Sequence, residues 1–342
     1  MEGKLRIAVV GGGAVAERVH LPALASSSCA KATLLVEASP SRAQQMAHQF
    51  NIRTVAHHRD VIGQVDAAII GLPHQLHAPV AIELMRGGVH VLVEKPMALT
   101  AADCRAMNEA AADTHCVLAV GLLRRCAPAL RWIKHALGSN MLGRIEAFDI
   151  REGGIYRWPV ASPSMFRREG GGVLADAGAH VLDLVTWWFG DWRSLRYRDD
   201  ALGGVEADCL IELEMRTGER GRIELSRTRN MPNSCTIVGE RGTITAGTKT
   251  DATVSVVWRD GVELTARPIA DGRPSPTNLI DLFGPQLDQF VSAIRFGSQP
   301  AVSGLDAQRS VELLEACYGS REVWSHPWDV ATSNSTPLGA VR

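Results

Sequence analysis

The sequence predicts an α/β protein of two domains, a doubly wound parallel sheet followed by a mostly antiparallel meander with helices. The chain has 342 residues, which is longer than a single hydrophobic core usually grows. Between residues 5 and 120, short apolar runs alternate with helical stretches, which is typical of β-α-β units around a parallel sheet. From about residue 143, longer alternating strands are joined by tight turns, which indicates antiparallel pairing.

The elements of the first half follow from its apolar periodicity. The predicted strands are Leu5–Val10, Thr33–Glu37, Val65–Ile70, Val89–Glu94 and Cys116–Val120. The predicted helices between them are Ala14–Ser26, Ser41–Phe50, Pro79–Arg86 and Ala101–Ala112. Because a helix separates successive strands, the strands are expected to be parallel.

Turn signals divide the second half into hairpins, and helices follow them. The turns lie at Thr217–Gly218, Glu240–Gly242 and Asp260–Gly261. Helices are predicted at 284–300 and 304–323, and the first carries an apolar stripe for packing on a sheet: Leu287, Phe290, Val291 and Ile294. The predicted domains are residues 1–121 and 122–330, with a loose, Ser/Thr-rich tail at 331–342.

The bulk composition excludes several classes of function. A net charge of -1 without a basic run gives no positive field for a phosphate backbone, so no nucleic-acid partner is expected. No window approaches the roughly 20 apolar residues that span a bilayer, so we expect no membrane partner and a cytoplasmic location. The seven cysteines form no Cys-x-x-Cys pair, which favours reduced thiols over disulfides or a zinc site.

A glycine-rich turn joins the first predicted strand to the first predicted helix. The segment Gly-Gly-Gly-Ala-Val-Ala from Gly11 to Ala16 matches G-x-G-x-x-[GA]. Gly11 permits the tight turn, and Gly13 lets the backbone approach a pyrophosphate. Ala14 and Val15 open a helix whose free N–H groups would face the phosphates. Because the chain has 32 glycines, a simple turn is the alternative interpretation.

An acidic residue at the end of the second predicted strand indicates which dinucleotide would bind. The Glu37 carboxylate can accept hydrogen bonds from the adenosine ribose hydroxyls, and it would repel a 2′-phosphate. NAD is therefore favoured over NADP. Arg42 lies close enough in sequence to soften this preference and is a further cofactor-binding candidate. Alternatively, Glu37 merely begins a solvated loop.

Lys95 follows Glu94 where a predicted parallel strand ends, and ligands of such sheets bind outside the carboxyl ends of the strands. An ammonium there can hydrogen-bond a reacting oxygen. The bond to Pro96 is a candidate cis peptide. The alternative is an ordinary lysine that points into water.

A second glycine-rich segment, Gly170–Gly172, leads into a predicted helix that carries Asp176, His180 and Asp183 at i, i+4 and i+7. This spacing places the three side chains on one helix face. His180 can exchange a proton with a substrate hydroxyl while Asp176 fixes its position and tautomer. The alternative is a structural polar cluster; metal binding is weaker still, since no third ligand is evident.

These motifs resemble, in order and over nearly the whole chain, those of the glucose-fructose oxidoreductase, inositol dehydrogenase and MocA family. The motifs that carry the resemblance are the Gly11–Ala16 turn continuing through His20–Leu24, Pro73 with His77, Glu94–Pro96, Gly121 with Arg124, Arg125 and Pro128, Gly170–Asp183, and the C-terminal set Phe290, Ala293, Ile294, Gly297, Pro300, Val302 and Gly304. Any one motif is weak, but six in order are specific.

The resemblance implies an N-terminal Rossmann domain and a C-terminal α/β domain with a large, mostly antiparallel sheet, whose exposed face makes homodimer or homotetramer contacts. It implies that Lys95, Asp176 and His180 are catalytic, with the division of labour between His180 and Lys95 left open. It also adds cofactor-binding candidates from the segment after the third long strand and from the catalytic strand end: Leu72, Pro73, His74, His77, Glu94 and Lys95.

The substrate pocket is less well defined by sequence. Leu72 stands where the family often has threonine, and Cys126 stands where an aromatic residue usually follows Arg125. Beside Asp176 and His180, the substrate-binding candidates are Arg124, Tyr156, Arg157 and Trp158, because aromatic and guanidinium groups suit a polyol ring. The last three could equally form a loop packed on its own domain.

Three functions are compatible with these residues. The leading hypothesis is an NAD(H)-dependent dehydrogenase or reductase that transfers hydride at a secondary alcohol carbon of a sugar, sugar derivative or cyclitol. The second is an NAD-assisted glycosidase or lyase that returns the hydride to its substrate. The third is a ligand-sensing regulator without turnover, and the presence of Lys95, Asp176 and His180 argues against it.

Overall fold

A computed structural model describes residues 3–155, 170–201, 205–249, 253–269 and 278–324. Within these ranges, six parallel strands form the first sheet in the order β3-β2-β1-β4-β5-β6. The strands are β1 (Leu5–Val10), β2 (Ala30–Val36), β3 (Arg53–Val55), β4 (Ala67–Ile70), β5 (His90–Val93) and β6 (Leu118–Val120). This order reverses direction between β1 and β4, as in doubly wound dinucleotide-binding folds.

Helices cover both faces of the first sheet. They are α1 (Leu21–Ser26), α2 (Pro40–Phe50), α3 (His77–Arg86) and α4 (Ala101–Thr114). One face forms a core with α3 and α4, and the other packs against α1 and α2. The nearly continuous apolar sequence of β1 and β4 follows from this burial on both faces.

The second sheet has nine strands in the described part of the chain, in the order β14-β13-β12-β11-β7-β10-β9-β8-β15. They are β7 (Ile145–Gly153), β8 (Trp192–Asp199), β9 (Asp208–Met215), β10 (Arg220–Ser226), β11 (Ser234–Gly239), β12 (Gly242–Gly247), β13 (Val254–Trp258), β14 (Glu263–Ala266) and β15 (Arg321–Val323). One face packs on α5 (Pro128–Gly138) and α6 (Ala179–Phe189), and the alternation of buried and more exposed residues along β10 and β11 leaves the other face polar.

The predicted fold class is confirmed, and the three predicted hairpin turns lie between β9 and β10, β11 and β12, and β13 and β14. The meander is not wholly antiparallel, because β7 pairs in parallel with β10 and β8 with β15. The strand β3 was missed, since three residues are too few for a period to be visible.

Two C-terminal helices, α7 (Phe283–Phe296) and α8 (Gly304–Gly319), join the two halves of the molecule. The predicted stripe of α7 does pack on a sheet, but on the first one: Leu287, Phe290 and Val291 lie in the same core as β1. Helix α8 contributes Val311 to a core of the first sheet and Leu314 to the core of the second. The predicted boundary at residue 121 stays a prediction.

Candidate active site

The carboxyl ends of the parallel strands β1, β2, β4 and β5 bring four polar segments to one edge of the first sheet. They are the turn at Gly11, Glu37, the segment 71–74 and the pair Glu94–Lys95. The chain adds the helix that begins near Val173 and the end of β10 to the same place, through contacts described below. A crevice outside the strand ends is where ligands bind in open α/β sheets.

The glycine turn has the shape that a pyrophosphate requires. Gly11 has a φ of +102°, and an added Cβ would lie 2.6 Å from the carbonyl oxygen of Gly71. A Cβ on Gly13 would meet no described atom within 4 Å, so the backbone there borders open space. The following helix runs from Ala14 to Ser26 as predicted, with a π-helical stretch at Ala16–His20 that was not predicted.

Glu37 is fixed beside this turn. Its Oε2 accepts a hydrogen bond from the Gly12 N–H at 2.9 Å, and its Oε1 accepts one from the Ser39 N–H at 2.8 Å. A carboxylate oxygen can accept more than one hydrogen bond, so both oxygens retain capacity for ribose hydroxyls. The residues therefore fit NAD: a tight turn, open space at Gly13 and an oriented carboxylate at the strand end.

Arg42 serves the turn rather than opposing Glu37. Its Nε donates to the Gly12 carbonyl oxygen at 2.8 Å, and its remaining nitrogens bond Glu17 at 2.8 Å and Gln45 at 2.9 Å. The Arg42 hydrogen bond lowers the pKa of Glu17. A guanidinium with these three acceptors supports the backbone of the turn, and its effect on the choice between NAD and NADP stays a prediction.

Lys95, Asp176 and an arginine that sequence reasoning missed form one charged cluster. The Lys95 Nζ donates to Asp176 Oδ1 at 2.6 Å and to the Asp176 carbonyl oxygen at 3.1 Å. The other carboxylate oxygen, Oδ2, accepts from Arg227 Nη2 at 2.9 Å. Although burial opposes its ionisation, these two cations hold the pKa of Asp176 well below its usual range.

His180 lies next to this cluster with an unpartnered ring nitrogen. Its Nδ1 is buried and has no hydrogen-bond partner among the described residues. Burial lowers the pKa of His180 well below its ordinary value, and the positive charges of Arg124, Lys95 and Lys249 lower it further against the opposing effect of Asp176. His180 is therefore neutral at pH 7 and able to accept a proton.

The predicted hydrogen bond between Asp176 and His180 is not formed. Both carboxylate oxygens of Asp176 bind cations, and Asp176 lies in a π-helical stretch, Leu174–Gly178, that precedes α6. Such π-helical turns often occur at functional sites, because the widened turn re-aims side chains. Asp176 therefore contacts Lys95 and Arg227 rather than the imidazole.

Two family models match the chain. The model described as the oxidoreductase family, NAD-binding Rossmann fold, matches residues 5–122, and the model described as the oxidoreductase family, C-terminal alpha/beta domain, matches residues 134–324. The chain belongs to this Gfo/Idh/MocA oxidoreductase family. The first sheet and its helices thus form an NAD-binding Rossmann domain. The predicted family, enzyme class and cofactor are confirmed.

Several known proteins are similar to this member of the Gfo/Idh/MocA family over almost its whole length. Inositol 2-dehydrogenase of Rhizobium meliloti is 25% identical over 92% of this chain and 96% of its own length. The scyllo-inositol 2-dehydrogenase (NAD(+)) of Bacillus subtilis is also 25% identical, over 92% of this chain and 93% of its own. A solved structure of levoglucosan dehydrogenase in complex with NADH and levoglucosan superposes with a TM-score of 0.83 at 21% identity, covering 93% of this chain and 97% of that one. This last likeness supports the fold.

The family motif around Pro73 connects the segment 71–74 to the segment that carries Lys95. His77 lies between two carbonyl oxygens, that of Leu72 at 2.9 Å from Nε2 and that of Pro96 at 2.9 Å from Nδ1. Its side chain is fully buried, so His77 supports these two segments instead of presenting its ring to a coenzyme, which corrects the prediction. The Lys95–Pro96 peptide bond is cis, as the sequence indicated.

Two further histidines belong to the same edge. His74 Nδ1 lies 3.0 Å from the Gly170 carbonyl oxygen, and burial, with the charges of His77 and Lys95, lowers the pKa of His74 to about 4. His20, which belongs to the motif that continues the glycine turn but was not among the predicted site residues, bonds Glu94 Oε1 at 2.8 Å. Burial opposes ionisation of Glu94, but this contact with His20 leaves its pKa lowered. Glu94 is therefore turned toward His20, behind Lys95.

Arg124 is less available to a substrate than predicted. Both of its terminal nitrogens bond Glu152 in a bidentate pair, one of them at 2.9 Å, and the side chains are only 3% and 1% exposed. Arg124 therefore contributes positive charge near His180, while its Nη1 and Nη2 groups donate their hydrogen bonds to Glu152. The other predicted substrate contacts, Tyr156, Arg157 and Trp158, lie outside the described residues.

Asp183 does not share the site with Asp176 and His180. Its carboxylate accepts two hydrogen bonds from Arg125 Nε and one, at 2.6 Å, from Arg125 Nη2, in the buried interior of the second domain. The i, i+7 spacing predicted a shared face, but the π-helical stretch and the position of Arg125 direct Asp183 elsewhere. Asp183 is a structural residue.

Removing this buried carboxylate is expected to lower the stability of the fold rather than to act directly on catalysis. Asp183→Asn should lower the free energy of unfolding by about 3–5 kcal/mol, because Arg125 loses its buried partner charge and keeps only the more exposed carboxylate of Asp306. Glu212→Gln, which breaks an exposed pair with Arg198, should cost at most about 1 kcal/mol. Urea unfolding measures both, and equal effects would contradict the structural assignment.

The glycine turn offers a test of the cofactor site that needs no substrate. Gly13→Ala should weaken NADH binding roughly 10- to 100-fold by filling space meant for the pyrophosphate, with unfolding unchanged. Gly11→Ala should also destabilise the fold by more than about 1 kcal/mol, because its positive φ strains any side chain. Calorimetric NADH titration and urea unfolding separate the two, and wild-type NADH affinity in Gly13→Ala would place the pyrophosphate elsewhere.

No group of three or more His, Cys, Asp or Glu side chains that could hold a metal ion occurs in the ranges that the structure covers. Nor does any helix in those ranges have the length and hydropathy to cross a membrane.

Proposed function

We propose that this chain is an NAD(H)-dependent dehydrogenase or reductase acting at a secondary alcohol carbon of a sugar, sugar derivative or cyclitol. The observation that supports it most is the meeting of one ammonium, Lys95, and one neutral imidazole, His180, at the strand edge that also carries the glycine turn. The inositol and levoglucosan dehydrogenases similar to this chain act on substrates of this class by name.

The residues have distinct tasks in the oxidation of an alcohol. Gly11, Gly13 and the start of the helix at Ala14 would hold the pyrophosphate, and Glu37 the adenosine ribose. NAD, when bound, supplies the acceptor for the hydride that leaves the substrate carbon. The hydroxyl proton leaves at the same stage, so the alcohol becomes a carbonyl.

We assign the proton to His180 and the charge stabilisation to Lys95. His180 is neutral because burial and three nearby cations disfavour the imidazolium, which makes it a base near neutral pH. The Lys95 ammonium is ion-paired with Asp176 and retains hydrogen-bonding capacity toward a substrate oxygen. It stabilises the negative charge that develops on that oxygen as the proton leaves.

The assignment is tested with a panel of polyols, sugars and cyclitols, each supplied with NAD or NADP and followed by the absorbance of the reduced nicotinamide. We expect NADH to accumulate with NAD in an amount equal to the ketone formed. Product without free NADH would instead support the glycosidase or lyase hypothesis. Ligand binding without turnover of any panel member would support the sensor hypothesis.

We further propose a homodimer or homotetramer in the cytoplasm. The polar face of the second sheet supports the assembly, because it carries charges of both signs that can pair with a second copy: acidic residues on β9 (Asp208, Glu212 and Glu214) and arginines on β10 (Arg220 and Arg222). All seven cysteines are free thiols, which suits a reducing compartment. Light scattering of the purified chain tests the assembly.

A further inference from the structure

The two carboxylate oxygens of Asp176 accept hydrogen bonds from different domains of the molecule. Lys95 reaches Oδ1 from the end of β5 in the first sheet, and Arg227 reaches Oδ2 from the residue that follows β10 in the second sheet. The arginine side chain is only 10% exposed. A largely buried guanidinium that holds one oxygen of a carboxylate fixes the direction of the other oxygen.

We propose that Arg227 is a positioning residue of the reaction, which turns Asp176 toward Lys95 and offsets the negative charge of Asp176 beside the His180 imidazole. The expected effect on kcat rests on the proposed function. The expected effect on the charge around His180 does not, because it can be measured in the protein without substrate. Arg227 would act through Asp176, and a substrate need not touch it.

The charges around His180 explain the second part of this role. The groups that face the imidazole are Lys95, Asp176, Arg124 and Lys249, with Glu152 paired to Arg124. Lys95, Asp176 and Arg227 together carry one net positive charge. Without Arg227 that cluster is neutral, so the imidazolium form of His180 meets less repulsion and its pKa rises.

Three variants and one control test the proposal. Arg227→Gln and Arg227→Met remove the charge, and the second, which buries no unpaired amide, serves if the first fails to fold. Arg227→Lys retains the charge. Arg229→Gln is the matched control, since Arg229 lies two positions away, is 51% exposed and pairs with Asp208 and Glu224.

The first readout is the NMR titration of the His180 ring in the free protein, assigned by its disappearance in His180→Ala. We expect the His180 pKa to rise in both neutral variants and to stay at the wild-type value in Arg227→Lys and Arg229→Gln. An unchanged titration in the neutral variants would overturn the proposal, as would an equal rise in Arg227→Lys.

The second readout is the pH profile of kcat/KM. The neutral variants should lose roughly 10- to 100-fold in kcat through misplacement of Lys95, with unchanged NADH affinity, and their acid limb should move to higher pH. Arg227→Lys should recover most of kcat. Wild-type kcat in the neutral variants would refute the positioning role. A third outcome is that the His180 pKa rises as expected but neither the wild type nor any variant oxidises a polyol. In that case the proposed function fails while the electrostatic role of Arg227 stands.

Discussion

His180→Ala is expected to lower kcat by about 100- to 10,000-fold while NADH affinity is retained, because the variant loses the base that accepts the hydroxyl proton. The wild-type acid limb of kcat/KM should lie below the ordinary histidine pKa of about 6.5, since the lowered pKa keeps the ring neutral to lower pH. As the pH falls through the pKa of His180, the ring gains a proton and activity is lost. Steady-state kinetics against pH and NADH calorimetry measure these effects.

His135→Ala is a suitable control for this variant, because His135 lies on α5, away from the strand edge. It should leave the acid limb unchanged. An acid limb that survives in His180→Ala, or a wild-type limb above that of an ordinary histidine, would show that another group accepts the proton.

Lys95→Met is expected to lower kcat/KM by about 100- to 1,000-fold, the usual effect of removing one donor to a developing oxyanion. The variant also leaves Asp176 with Arg227 as its cation partner in the cluster, so the carboxylate stays ionised while the cluster loses its net positive charge beside the reacting oxygen. Kinetics with a saturating coenzyme concentration measure the loss.

The matched control for Lys95 is Lys134→Met, because Lys134 is also partly buried and donates to a backbone carbonyl, that of Trp187, in the second domain. It should retain wild-type kcat. A Lys95→Met enzyme with wild-type kcat would mean that Lys95 has no contact with the reacting oxygen, and the stabilising role would have to be reassigned.

The parts of the site that were predictable depend on local chemistry. Three features can be identified from a few neighbouring residues: a glycine turn between a strand and a helix, an acid at the next strand end and a lysine after a buried strand. The parallel topology then brings them together. Gly11, Gly13, Glu37 and Lys95 accordingly lie at one edge. Their spacing in sequence was enough because strand ends in a parallel sheet share a side.

The parts that were not predictable depend on distant partners. Arg227 is 51 positions from Asp176, and nothing in its own neighbourhood marks it as a ligand of that carboxylate. Asp183 was grouped with Asp176 and His180 by helical spacing, but Arg125, 58 positions away, determines its contacts. Periodicity also cannot locate a π-helical stretch, since five residues are too few to show a change of period.

Transfer of a deuterium label tests the central claim most directly. The chain is incubated with NAD and a polyol found active in the panel, deuterated at the carbon to be oxidised, and the released coenzyme is analysed by mass spectrometry. We predict one deuterium on C4 of the nicotinamide in free NADH, formed at the wild-type rate only when Lys95 and His180 are intact. Released NADH without deuterium, or deuterium that returns to the product, would contradict the account.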